Sequence, residues 1–370
     1  MTNRGKTNLF RHKQLNMNNP GIKLTIISAC RNEIRHIDEF LDSIQSQEMD
    51  DLDWEAILAD GMSSDGTKLR AEEYAATMPR FRVIDNPGRI VSTGLNSAIA
   101  AAQGDIIIRM DAHTRYAPDY CTQCVATLLG TEADNVGGPA RTEAKGREQR
   151  AVAAAYHSRF STGGAKFHDS NYEGYVDTVT YGCWKKSTLA QLGGFDEAMI
   201  RNQDDELNLR LIRSGGKVWQ NPRIQSWYSP RATLAALFNQ YFQYGFWKVA
   251  VIRKHGSPGS WRHLVPALFA FVNIGLALAV FVTAALDAKT SLLVFAALWA
   301  FMLTLYFGLT LIFSAAAARQ NGWDLFLYLP LVFAAYHFSY GAGFLGGLYR
   351  FRTAQAAPFS SDSVFARITR

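Results

Sequence analysis

Between Leu264 and Tyr349 only four of 86 residues carry a charge: Asp287, Lys289, Arg319 and Asp324. The 263 residues before that stretch carry 61 Asp, Glu, Lys or Arg, or 23%, a normal value for a soluble domain. Polar breaks divide the charge-poor stretch into three apolar spans, Leu264–Leu286, Ser291–Ala318 and Leu325–Leu348. Each is long enough for a hydrocarbon core of about 30 Å, which needs roughly 20 helical residues. A purely soluble enzyme, a disordered chain and a collagen-like repeat are therefore excluded. A pure transporter is excluded too. Two-thirds of the chain is polar and globular, and the spans hold almost no ionisable group, with His337 alone in mid-span, where ion paths carry several.

Before Glu33 the chain has no acidic residue, whereas it has Arg4, Lys6, Arg11, Lys13 and Lys23. This basic tail, residues 1–23, reads either as a segment near anionic lipid or as a solvated tail with no partner; nucleic acid is not expected. It lacks the apolar core of a signal peptide, so the polar part is expected on the cytoplasmic face of the inner membrane. Arg253, Lys254 and Arg262 before the first span fit that side. Three crossings would then put Arg350, Arg352, Arg367 and Arg370 outside, against the positive-inside tendency. Four cysteines, with Cys121 and Cys124 as a lone CxxC, read as buried thiols rather than a zinc site.

The polar part alternates strand and helix. Residues 24–29, 54–59, 81–84 and 105–110 read as apolar β-branched strands, and helical spacing follows the first three. This rhythm predicts an α/β fold with a parallel sheet and helices on both faces. Ligands of such sheets sit beyond the carboxyl ends of the strands, and Asp60 and Asp111 each stand at one. Farther on, Glu148–Tyr156 reads as a helix, 161–174 as a loop and 176–181 as a strand. Arg231–Lys254 reads as an amphipathic interfacial helix, with Leu234, Phe238 and Tyr241 on one stripe and Gln240, Gln243 and Trp247 on another face. Two motifs mislead. Residues 61–68 (GMSSDGTK) end in Gly-Thr-Lys and are no phosphate-binding loop. Gly341, Gly343 and Gly346 spell GxGxxG inside an apolar helix with no strand before it, which predicts close helix packing.

The remaining motifs resemble family 2 glycosyltransferases. Ser28–Glu33 (SACRNE) and Ala59–Thr67 (ADGMSSDGT) resemble the family's N-E and D-G-x-S-x-D-G-T boxes. Met110–His113 (MDAH) stands at its D-x-D. Gly193–Glu197 (GGFDE) and Gln203–Arg210 (QDDELNLR) resemble its G-G-F-D-E and E-D-x-D-L-x-x-R segments. The MDAHTRY wording and the three-span tail are similar, more narrowly, to ExoA-type glucosyltransferases of succinoglycan assembly. The resemblance implies a GT-A domain over 24–230, an interfacial region over 231–263, a membrane region over 264–349 and a tail over 350–370. It implies a nucleotide-sugar donor, of the UDP-hexose class, bound by Asn32, Glu33, Asp60 and Asp111. It implies inverting transfer to a polyprenyl-diphosphate-linked saccharide.

A leaving nucleoside diphosphate is stabilised by a divalent cation held by hard ligands, here Mg2+ or Mn2+ at Asp111 and His113. The alternative for that pair is a capping Asp111 and a hydrogen-bonded His113. Where the family has a second carboxylate this chain has His113, and where it has Glu this chain has Gln203. Inverting transfer needs one base for the acceptor hydroxyl. Aligning Leu207 and Arg210 with L-x-x-R makes Asp204 that base, and a slip of one would make it Asp205. Ser64 and Asp65 read as turn and cap residues. Gln243–Trp247 (QYGFW) is similar to the Q-x-x-R-W signature of processive members, with Phe246 at the arginine. Gln243, Trp247 and the following Lys248 are therefore candidates for the acceptor or a diphosphate. Two other readings stand beside this one: a polyprenyl-phosphate glycosyltransferase, and a catalytically silent nucleotide-binding membrane scaffold.

Overall fold

A computed structural model describes residues 21–352. Most of the basic tail, including Arg4, Lys6, Arg11 and Lys13, and the final residues with Arg367 and Arg370 lie outside that range. The elements run β1 (Lys23–Cys30), α1 (Ile37–Gln45), β2 (Asp53–Asp60), α2 (Thr67–Thr77), β3 (Phe81–Asp85), α3 (Val91–Ala101), β4 (Ile106–Arg109) and β5 (Thr114–Tyr116). Next come α4 (Tyr120–Gly130), β6 (Asn135–Gly138), α5 (Gly146–Tyr156), α6 (Arg159–Thr162), β7 (Gly174–Tyr175), β8 (Thr180–Lys185) and α7 (Lys186–Leu192). The chain continues through α8 (Gln203–Arg213), β9 (Val218–Gln220), β10 (Ser226–Tyr228), α9 (Leu234–His255), α10 (Val265–Ala285), α11 (Lys289–Asn321) and α12 (Leu329–Arg350). These form two compact units. Within the described residues the first holds 21–139, 171–195 and 210–226, and the second holds 140–170, 196–209 and 227–352.

The first unit is built on an eight-stranded mixed sheet in the order β3-β2-β1-β4-β8-β6-β9-β7. Strands β1, β2, β3 and β4 are mutually parallel, with Ser28 opposite Leu58 and Ile27 opposite Arg109. Strand β8 runs antiparallel to both β4 and β6, and β6 is parallel to β9. The apolar runs are explained by burial on both faces: Ile26, Ile27, Leu58, Ile107 and Ile108 have almost no exposed surface. Helices α1 and α4 supply Ile37, Phe40, Leu41, Cys121, Cys124 and Leu128 to the core on one face. Chain order reverses at β1, which lies between β2 and β4, so their carboxyl ends open on one edge at a topological switch point. All four cysteines are buried free thiols, and burial pushes the Cys121 thiol up, as expected of structural thiols. The strand expected at 176–181 falls instead at 180–185, where β8 pairs between two distant strands.

In the second unit the loop expected over 161–174 contains the end of α6 and a 3-10 turn, Lys166–His168. Helix α9 differs from the expected interfacial helix. Phe238 is exposed, while Gln243, Trp247 and Lys248 are buried on a face that meets Arg201, Met199 and Asp205, and the neighbouring face with Phe242, Gly245 and Val249 is covered by α12. The contact is made close by glycine: a Cβ on Gly245 would lie 2.0 Å from the Tyr340 carbonyl, and one on Gly343 would lie 1.9 Å from that of Phe242. Gly341 meets Pro266 and Ala270 of α10 in the same way. The glycine motif in this helix is thus a packing device.

Among the described residues two helices are long and apolar enough to cross a membrane, Trp261–Ala285 and Lys289–Asn321, judged by length and composition. They leave many apolar side chains uncovered, among them Leu268, Phe271, Phe281, Leu293, Phe301 and Ile312. The third expected span exists as α12, but it falls outside that pair and buries Val332, Phe333, Tyr336 and Phe344 against its neighbours.

Candidate active site

The loops after β1 and β2 interlock at the open edge of the sheet. Asn32 and Met62, at φ 57 in each case, turn the chain sharply after the two strands. The Asn32 amide donates to Ser63 Oγ at 2.9 Å, and the Ser64 amide donates to Asn32 Oδ1 at 2.9 Å. The Glu33 amide donates to Thr67 Oγ1 at 2.8 Å, and Asp65 accepts from the amides of Thr67 and Ile34. Asp65 and Ser64 therefore hold the turn, but neither caps α2 as expected: its N-cap is Gly66, with no side-chain cap hydrogen bond. Against the effect of partial burial, which pushes it up, the hydrogen bonds from Thr67 and Ile34 bring the Asp65 carboxyl below its ordinary value.

Inside this cradle lies Asp60, with 0% of its surface exposed. Its Oδ2 accepts from the Ser63 amide at 2.9 Å. Its Oδ1 is buried with no hydrogen-bond partner. A buried carboxylate oxygen left unmatched costs a few kcal/mol unless a donor arrives, so the position is suited to an N–H or O–H of a ligand.

The third loop follows β4. Arg109, 3% exposed, reaches over the strand end to the Asp111 carboxylate: Nε donates to Oδ1 at 2.7 Å and Nη2 to Oδ2 at 2.9 Å. The Asp111 amide donates to the Tyr116 hydroxyl at 2.5 Å. His113 Nδ1 lies 3.7 Å from Glu33 Oε1. Thus Asn32, Glu33, Asp60, Asp111 and His113, expected together from sequence, stand on the loops of three neighbouring parallel strands. Arg109 was not expected. Its signal is a lone charge in the apolar run IIIRM.

In the second unit α8 opens on three acidic residues, Asp204, Asp205 and Glu206. Each has a different environment. Glu206 is fully buried and pairs with Lys254 at 2.8 Å and His255 at 3.0 Å. Asp205 Oδ2 accepts from Lys248 Nζ at 2.6 Å. Burial works to raise the Asp205 carboxyl, but Lys248, His263 and Arg262 outweigh it and hold it below its ordinary value. Asp204 stands half-buried in the first turn of the helix. Gln243 Oε1 accepts from Arg201 Nε at 3.0 Å, and Trp247 packs with Met199, Phe246 and Val251. Among the described residues no three His, Cys, Asp or Glu side chains cluster as a ready metal site.

A family model described as Glycosyl transferase family 2 matches residues 25–184. The succinoglycan biosynthesis protein ExoA of Rhizobium meliloti (strain 1021) is 33% identical over 257 residues, covering 69% of this chain and 78% of that protein. The chain belongs to glycosyltransferase family 2. A Methanococcus voltae relative is 25% identical over 88% of this chain and 97% of its own length. Its name is dolichyl N-acetyl-alpha-D-glucosaminyl phosphate 3-beta-D-2,3-diacetamido-2,3-dideoxy-beta-D-glucuronosyltransferase. Among solved structures, a mannosyltransferase from Pyrobaculum calidifontis in complex with GDP-Man and Mn2+ superposes with a TM-score of 0.53 at 21% identity. It covers 81% of this chain and 87% of its own, and so shows the shared GT-A fold. The family 2 enzyme described here is thus a glycosyltransferase with a mixed sheet and apolar C-terminal helices.

Proposed function

We propose that this family 2 enzyme moves a hexose, with inversion, from a nucleotide sugar of the UDP-hexose class to a polyprenyl-diphosphate-linked saccharide in surface-glycan assembly. The observation that carries the donor side is Asp60, buried at the strand edge with Oδ1 unmatched. A nucleobase or ribose donor group would complete its hydrogen bonding. Asn32 and Glu33, fixed by the Ser63–Thr67 turn, frame the same pocket edge. Support for a lipid-borne acceptor comes from the two exposed apolar helices and from the Methanococcus relative, named for a dolichyl-linked sugar phosphate.

Asp204 acts as the base that takes the acceptor hydroxyl proton while the oxygen attacks the anomeric carbon and the nucleoside diphosphate leaves. Lys248 favours this assignment over Asp205, since a carboxylate held by a lysine is a poorer base. A divalent cation suits Asp111 and His113. Arg109 occupies two of about four carboxylate lone-pair sites on Asp111, so the rest are available to an ion, and manganese tolerates an imidazole ligand better than magnesium does. Such an ion would stabilise charge on the departing diphosphate. We place the polar part on the cytoplasmic face of the inner membrane, with α10 and α11 as the crossing helices.

The test is nucleotide release from the full chain in nanodiscs, screened over nucleotide hexoses with a polyprenyl-diphosphate disaccharide and with soluble glycans. Turnover with the lipid-linked acceptor, and at least ten-fold weaker nucleotide binding in Asp60→Asn, is expected. Turnover with soluble glycans alone would sink the acceptor assignment. Nucleotide binding without any turnover would indicate a silent scaffold.

A further inference from the structure

Helices α9 and α12 and the 3-10 turn Trp261–Leu264 enclose a group of charges that the donor pocket does not use. Lys248 is 6% exposed, an expensive place for an ammonium, and it pairs with Asp205, whose side chain is 38% exposed. Arg262 and His263 act on the same carboxylate. Two further polar atoms point to something that this arrangement does not supply. His263 Nδ1 and the Tyr340 hydroxyl are both buried with no hydrogen-bond partner. Tyr340 lies within electrostatic reach of Asp205 and Arg262, and His263 within reach of Lys248 and Arg262. The group thus offers two cations and two unmatched polar atoms around a single carboxylate that water can reach.

Position identifies the kind of anion. The turn carrying Arg262 and His263 leads directly into α10, whose Val265, Leu268, Phe271 and Ile274 are uncovered apolar side chains. An anion bound here would sit where charged surface meets lipid-facing surface, the level of a phosphate headgroup. We propose that Lys248, Arg262, His263 and Tyr340 form a binding site for the diphosphate of the lipid-linked acceptor, with Asp205 as the resident counter-ion that the diphosphate displaces. This deepens the acceptor reading above and rests on it. Lysine and arginine contribute charge, and the Tyr340 hydroxyl and the Nδ1–H tautomer of neutral His263 donate to phosphate oxygens. Release of Asp205 from Lys248 would occur one residue from Asp204, so acceptor binding would be felt at the first turn of α8.

The experiment measures binding to the full chain in phosphatidylcholine nanodiscs, using polyprenyl diphosphate without sugar, inorganic diphosphate and phosphatidylglycerol as separate probes. Polyprenyl diphosphate is expected to bind about ten-fold or more weakly to Lys248→Met and Arg262→Gln, and a few-fold more weakly to Tyr340→Phe. Asp205→Asn is expected to bind it several-fold more tightly, because the competing carboxylate is gone. That gain distinguishes a binding role from mere structural damage. Unchanged affinity in Lys248→Met and Arg262→Gln, or weaker binding in Asp205→Asn, would overturn the site. Equal binding of inorganic diphosphate would overturn the lipid assignment, and equal competition by phosphatidylglycerol would make this an ordinary headgroup site. UDP binding to the parent and to Asp60→Asn serves as the separate check: equal binding by the two would count against the donor reading and leave this site untouched.

Discussion

Arg109 grips Asp111 with two parallel hydrogen bonds, 2.7 and 2.9 Å long, in the segment that resembles the D-x-D of family 2 enzymes. The buried guanidinium neutralises much of the charge that a cation would seek, and the imidazole of His113 brings no negative charge of its own. Replacing His113 by Asp should therefore lower the metal concentration for half-maximal activity by about ten-fold and shift preference from Mn2+ toward Mg2+. Activity titrated against each metal checks this. An unchanged metal dependence would remove His113 from the cation site.

The neighbouring acids at the start of α8 should separate in mutagenesis. Asp204→Asn removes the proposed base and should cut kcat by roughly 10²–10⁴-fold, the range for a lost general base. Asp205→Asn removes a partner of Lys248 and should act mainly through the acceptor KM, with kcat within about ten-fold of the parent. Steady-state kinetics with lipid-linked acceptor decide it. If lipid phosphate were the nucleophile, Asp204→Asn would retain most of its activity, since phosphate needs little base assistance.

What could be read from the residues follows from how each part is held together. Strands β1, β2 and β4 are buried on both faces, so each prints as a continuous apolar run, and its end marks where Asp60 or Asp111 emerges. Strands β6, β7 and β9 have two to four residues each and exist through partners far along the chain, so no local period announces them. Helix α12 shows the same limit in another form. Its apolar residues look like those of a span, but their burial against α9 depends on glycines at positions that only the packed pair reveals. The Asp205–Lys248 pair joins residues 43 apart, and spacing alone cannot select a lysine over its neighbours.

Those glycines give a sharp contrast. A Cβ at Gly343 would fall 1.9 Å from the Phe242 carbonyl, whereas one at Gly346 would find its nearest atom 3.8 Å away. Gly343→Ala should push α12 from α9 and cost about 3 kcal/mol or more, through overpacking against rigid backbone. Gly346→Ala should be neutral or stabilise by up to about 1 kcal/mol, the helix propensity of alanine over glycine. Thermal unfolding in nanodiscs measures both, and similar losses in the two variants would show that the helices do not meet here.

The same unit carries an acid-sensitive contact. His168 packs edge-on against Tyr156, with centroids 4.5 Å apart, and beside His157. Burial first, then His157 and Arg262, push the imidazole down to about 3, and burial also lowers His157. A histidine neutral in the fold but free to protonate when unfolded leaves stability intact above pH 6.5 and erodes it as pH falls toward 3. The loss from His168 alone should be on the order of 1 kcal/mol at pH 5.5. His168→Phe should flatten the dependence of Tm on pH between 7 and 5, with His157 leaving a residual slope. An unaltered slope would mean that His168 is solvated.

In the proposed arrangement, with α10 and α11 as the crossing helices, the chain would return to the side from which it left, and Arg253, Lys254 and Arg262 before the first crossing would share a side with Arg350 and Arg352. Three crossings would separate those groups, against the tendency of basic residues to stay inside. Helix α11, at 33 residues, is about 50 Å long and exceeds the hydrocarbon core, so its end with Arg319 can project into the polar layer. The native cysteines are buried, which leaves a low background for thiol labelling. With a membrane-impermeant maleimide on intact cells, Lys289→Cys should label at once. Asn321→Cys and Arg352→Cys should label only after permeabilisation. Labelling of Arg352→Cys from outside would restore the third crossing and place α12 in the membrane.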